Sequence, residues 1–127
     1  MIGVDTNVVV RMLTGDDPVQ SEKARDLFSR EAKIFLADTV VLETEWVLRH
    51  AYRFQPTEIH EGFSRLFELP NLVLSSKDRM EKVLDRYAAG MDFADALHLV
   101  SCDECEGFFT FDRQFAKKGQ DDGAILV

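Results

Sequence analysis

Five short apolar runs punctuate the chain: MIGVD from Met1, IFLA from Ile34, LVL from Leu72, FFTF from Phe108 and AILV from Ala124. None alternates cleanly between apolar and polar positions, which is the pattern of strands buried on both faces of a parallel sheet. Helical periodicity fills the gaps. NVVVRMLTG after Asp5 predicts a short helix that stops at Gly15. Asp17 then caps a second helix, with Pro18 at its first position and Ala24, Leu27 and Phe28 forming its apolar stripe. A third helix starts at Thr39 in TVVLETEWVLRHAYR, and a fourth begins at Pro56 or Thr57 and ends before Pro70. SKDRMEKVLDRYAAG gives a fifth that ends at Gly90, and a sixth is expected from about Phe93 to Cys105, before Gly107.

Short buried strands alternating with helices predict an α/β fold of three layers, a mostly parallel sheet flanked by helices. With 127 residues there is enough chain for one core and too little for two, so residues 1–127 are expected to form a single domain. Right-handed crossovers put the ligand crevice of such a fold beyond the carboxyl ends of its strands, at the switch point of the topology.

Two of the apolar runs hand over to an aspartate at that edge, MIGV to Asp5 and FFTF to Asp112. Either alone reads as a loop residue or a helix N-cap. Two together are harder to explain, because like charges brought close cost free energy unless something positive lies between them. MDFADALHLV adds Asp92 and Asp95 in the first turn of the sixth helix, where the helix macrodipole favours anions and where the chain leads into FFTF. Glu43 and Glu45 begin the third helix at the same edge, but they stand about 200° apart around it and cannot face one site together. Periodicity does not choose between them. Carboxylates converging without a glycine-rich phosphate loop suggest a hard-cation site for Mg²⁺ or Mn²⁺, able to activate water and to neutralise a phosphoryl group.

Composition bears on this in two ways. The apolar fraction of 46% excludes a disordered chain, and no stretch approaches the roughly 18 apolar residues of a membrane span. The N-terminus lacks the pattern of a signal peptide, so the expected location is cytoplasmic. The formal charge of −8 argues against a nucleic-acid partner unless cations sit on some of the 23 acidic residues. Local basic clusters remain as candidate contacts, namely Arg49 with Arg53, and Arg113 with Lys117 and Lys118, while Tyr52 and Phe54 could stack on bases. Cys102 and Cys105 form a lone C-x-x-C, and with His98 they would share a face of the sixth helix, a weak soft-metal pattern.

Taken in order, MIGVDTNVVVRMLTGDDP, TVVLETEWVLRHAY, DFADALHLV and FFTFDRQF resemble a PIN-domain ribonuclease, specifically the VapC-type toxins of toxin–antitoxin pairs. The resemblance implies a five-stranded parallel sheet of order 3-2-1-4-5. It matches the family's acidic residues at Asp5, Glu43, Asp95 and Asp112 as metal ligands and catalytic groups, choosing Glu43 because it stands three residues before Trp46. Asn7, Asp92 and Thr110 match residues that support such sites. The implied activity is Mg²⁺- or Mn²⁺-dependent endonucleolytic cleavage of RNA, and the implied partners are RNA, a cognate antitoxin and a second copy of the chain; the apolar stretch of the third helix around Trp46 and Val47 is the expected dimer face. Among other readings, a haloacid-dehalogenase phosphatase would need D-x-D where Asn7 stands, and a receiver domain would need a lysine after its last strand. A histidine-pair ribonuclease is disfavoured by the spread of His50, His60 and His98 over separate helices, which leaves a non-catalytic binding module as the remaining rival.

Overall fold

The computed structural model describes residues 1–127, and its chain divides into two compact units, Met1–Lys77 and Asp78–Val127.

In the first unit, strands β1 (Ile2–Gly3), β2 (Ile34–Leu36) and β3 (Leu72–Leu74) form a parallel sheet in the order β1-β2-β3. Ile2 lies beside Ile34, and Ile34 beside Leu72. Helices α1 (Thr6–Thr14), α2 (Pro18–Arg30), α3 (Asp38–His50) and α4 (Pro56–Phe67) complete the unit. The boundaries follow from local chemistry. Asp17 caps α2 by accepting from Gln20 N at 3.0 Å, with Pro18 in the first turn. Gly15 closes α1 in the left-handed region (φ 67°), its N–H reaching Arg11 O at 3.2 Å. The core of this unit is aliphatic and aromatic: Val9, Val10, Phe28, Ile34, Leu36, Val41, Ile59 and Phe63 are all buried. Asn71 ties helix to sheet, since its side-chain amide donates to Phe28 O (2.7 Å) and Glu31 O (3.0 Å) at the end of α2.

In the second unit, α5 (Lys77–Ala88) and α6 (Phe93–Ser101) precede β4 (Phe108–Thr110), α7 (Arg113–Lys118), a 3₁₀ turn (Gln120–Asp122) and β5 (Ala124–Leu126). β4 and β5 pair in parallel, with Phe108 beside Ala124. Tyr87 meets Phe93 edge to face at 5.1 Å, and Phe115 stacks on Phe108 at 5.4 Å. Arg86 forms an ion pair with Asp122, and Arg79 with Asp103.

The α/β class and all five strands agree with the sequence reading, and so do the pairings 3-2-1 and 4-5; they occur as one three-stranded and one two-stranded ladder. Three expectations need correction. Helix α6 ends at Ser101 rather than near Cys105, because Cys102 N and Asp103 N turn back to Leu99 O and Val100 O. The acidic run after it, Asp103, Glu104 and Glu106, opposes the negative end of a continuing helix. His98, Cys102 and Cys105 therefore do not share a helical face. Burial of every strand on both faces also fails in the second unit, where the register partners Phe109 and Ile125 are both exposed. Helix α7 has only six residues, too few to show a period in the sequence.

One buried polar atom lacks a partner. Ser21, on the buried face of α2 beside Ala24, is fully enclosed and its hydroxyl makes no hydrogen bond. Ser21→Ala is expected to stabilise the protein by about 1 kcal/mol, removing an uncompensated hydroxyl and improving helix propensity. A lowered urea midpoint in the variant would show that the hydroxyl has a partner in solution.

Candidate active site

In the first unit the site begins where β1 runs out. Asp5 is the N-cap of α1, in extended conformation, and its carboxylate accepts from Thr6 N at 2.7 Å. One amide leaves most of the lone pairs of an exposed carboxylate free. The next residue carries the link to α3: the buried Thr6 hydroxyl donates to the Glu43 carboxylate. Glu43 is otherwise exposed. Glu45 is a different kind of residue, 1% exposed and held by Arg49 at 2.7 Å. Burial thus separates two glutamates that periodicity could not. Asn7 is exposed in the first turn of α1, at the end nearest Asp5. At the neighbouring strand ends, Ser75 donates to Asp38 at 2.7 Å.

In the second unit the acids also sit at helix starts. Asp92 caps α6 by accepting from Asp95 N at 3.2 Å, and Asp95 follows in the first turn. Asp112 caps α7 by accepting from Phe115 N at 3.0 Å, while its own N–H donates to the Thr110 hydroxyl, fixing the turn out of β4. The Asp95 carboxyl is held above its ordinary range, first by burial and then by the charges of Asp92 and Asp112; His98 and Lys118 act in the opposite direction. Lys118 also donates to Gly90 O at 3.1 Å.

No group of three or more His, Cys, Asp or Glu side chains stands at the spacing that would ligate a metal ion. The donor chemistry does suit a hard cation, since each candidate is a carboxylate and the repulsion felt by Asp95 is of the kind a cation relieves. Among the basic candidates, Arg49 is committed to Glu45. Tyr52 and Phe54 stack on each other at 5.8 Å, and the Tyr52 hydroxyl donates to Asp16 and accepts from Arg11. These two rings are therefore built into the first unit rather than presented to bases.

A family model described as the PIN domain matches residues 2–120. The chain belongs to the PIN domain family. No curated protein matches this PIN domain at a significant level. Among solved structures it is similar to Mycobacterium tuberculosis VapC20, whose structure is described as that of a sarcin-ricin loop cleaving toxin. That likeness is 17% identical over 94% of this chain and 95% of the other, with a TM-score of 0.45. No helix of this PIN domain is long and apolar enough to cross a membrane. The residue that sequence reasoning missed is Thr6. Its only signal was a hydroxyl directly after a strand-terminal aspartate.

Because the folded pKa of Asp95 is raised, the native state binds its proton more tightly than the unfolded chain does. The ionised group then weakens the fold above the ordinary carboxylate range and has no effect once both states are protonated. In EDTA at neutral pH, Asp95→Asn should melt at a higher temperature than the wild type, and the difference should shrink as the pH is lowered toward about 4. Equal melting temperatures at neutral pH would mean that burial and the neighbouring charges impose no cost on ionised Asp95.

Proposed function

We propose that residues 1–127 act as a single PIN-domain endoribonuclease of the VapC type, the toxin of a toxin–antitoxin pair, working in the cytoplasm with Mg²⁺ or Mn²⁺. The observation that carries this reading is the match to the PIN family over residues 2–120, and the acids at the strand-to-helix junctions give it a chemistry. Asp5, Asp95 and Asp112 are assigned as metal ligands. Glu43 is assigned as a ligand, directly or through water, that also orients the attacking water, with Thr6 as its positioning residue. Asp92 and Thr110 hold the turns that present Asp95 and Asp112, and Asn7 stands beside Asp5. A divalent ion bound by these residues would supply acidified water and charge neutralisation at the phosphoryl group. The chain's own contribution is to fix carboxylates: helix caps hold those of Asp5 and Asp112 by backbone amides, the Thr6 hydroxyl holds that of Glu43, and the Asp92 cap fixes the turn that carries Asp95. Hydrolysis in this manner leaves a 5′-phosphate. A homodimer and an inhibiting antitoxin belong to the same reading.

The first test incubates the antitoxin-free protein and Asp5→Asn with a mixed RNA pool in Mg²⁺, Mn²⁺ or EDTA. Cleavage should be confined to the wild type with metal; activity that persists in EDTA and in the variant would remove the acidic residues from the mechanism. A second test addresses Thr6. Thr6→Val should lower metal affinity or activity by about 10- to 100-fold, as loss of a ligand-orienting partner does, while Thr6→Ser should retain most of it. If Val and Ser behave alike, the hydroxyl contributes nothing to the position of Glu43.

A further inference from the structure

Between α1 and α2 the first unit opens a cleft of about 390 Å³. Its lining combines an apolar floor, including Val8 and Leu27, with three cations, Arg11, Lys23 and Arg30. No carboxylate lines it, in a chain of formal charge −8. The cleft therefore departs in sign from the molecule that carries it. Asn7 lies at its α1 end, two residues from Asp5. Lys23, Leu27 and Arg30 are spaced i, i+4, i+7 along α2, so the two cations stand about 10 Å apart on one helical face with the leucine between them.

The cations differ in how free they are. Arg11 is partly engaged, donating to Gln20 at 2.7 Å, to Asp16 at 3.0 Å and to the Tyr52 hydroxyl at 2.8 Å. Arg30 has only loose exposed pairs, to Asp26 at 3.6 Å and Glu31 at 4.0 Å, which water screens. Lys23 is exposed and makes no ion pair. An occupant must offer an anion to Lys23 and Arg30, an apolar face to Val8 and Leu27, and a polar edge to the Asn7 amide, which both donates and accepts. A nucleotide of single-stranded nucleic acid has all three, and a cationic groove with apolar platforms is how such strands are held.

We propose that this cleft is a substrate subsite, which takes one nucleotide of single-stranded RNA flanking the bond to be cut. Lys23 and Arg30 bind its phosphate, and its base lies over Val8 and Leu27 beside Asn7. The assignment rests on the endoribonuclease reading and supplies what that reading lacks, a binding surface for an anionic polymer on an acidic protein.

The test uses a fluorescein-labelled single-stranded RNA oligonucleotide of mixed sequence and the full chain, in EDTA so that nothing is cut. The variant is Lys23→Gln with Arg30→Gln, and the control is Lys33→Gln, outside the cleft. Both are exposed substitutions, and a thermal melt checks that they fold. The double variant should bind on the order of tenfold more weakly. Its slope of log affinity against log salt should fall by about 0.7, the value for one phosphate contact on a single strand. The control should match the wild type. In Mn²⁺ the KM for RNA cleavage should rise by a similar factor. Unchanged affinity and slope would overturn the subsite while leaving the nuclease reading intact if the wild type still cuts and Asp5→Asn does not. Cleft-dependent RNA binding by a wild type that cuts nothing would do the reverse. If the double variant keeps its RNA affinity but loses binding of a labelled polyglutamate peptide, the cleft is a peptide site and the proposal fails.

Discussion

An aspartate that caps a helix is held by amides that have no other partner, and that constraint sets the position of three of the candidate acids. Asp5, Asp92 and Asp112 each accept from a backbone N–H at the start of the helix that follows. The cap restricts the carboxylate and places it at the positive end of the helix macrodipole, which offsets part of the cost of gathering negative charge. Capping and ligation do not compete, because a carboxylate offers about four acceptor sites and a cap uses one or two. The bland structural role and the chemical role can therefore reside in the same residue.

The polar residues around these caps have a division of labour. Thr110 braces the turn into Asp112 through a hydroxyl, and Thr6 reaches from the start of α1 to Glu43 on another helix. Glu45, two residues further on, is buried against Arg49 and serves the fold. Removing Arg49 would leave the Glu45 charge buried without this partner, which is costly, whereas Glu43 stands exposed on the same helix.

Much of this was legible in the sequence, for identifiable reasons. Strands marked by IFLA and FFTF, and helices marked by Asp17-Pro18 or Gly15, depend on short-range chemistry that a single chain displays. The overextended α6 shows the opposite case: its apolar period continues past the point where acidic residues make further helix unfavourable. Phe109 and Ile125 look like core in the sequence yet are exposed, because apolar character constrains what can be buried and not what must be. Thr6 was invisible as a site residue, since its role lies in a partner 37 positions away. Net charge is likewise a sum over the whole chain. A total of −8 does not disclose a cleft whose charged lining residues, Arg11, Lys23 and Arg30, are all cations.

The Asn71 amide bears on how the first unit opens. It satisfies two carbonyls at the end of α2, while the backbone carbonyl of Asn71 accepts from Ile34 N at 2.8 Å, one residue before β3. The last turn of α2 cannot fray without stranding that amide, and β3 cannot slip in register without exposing those carbonyls. Helix end and strand entry thus share one opening event, and their amide protons should exchange with solvent at a common rate rather than as separate segments.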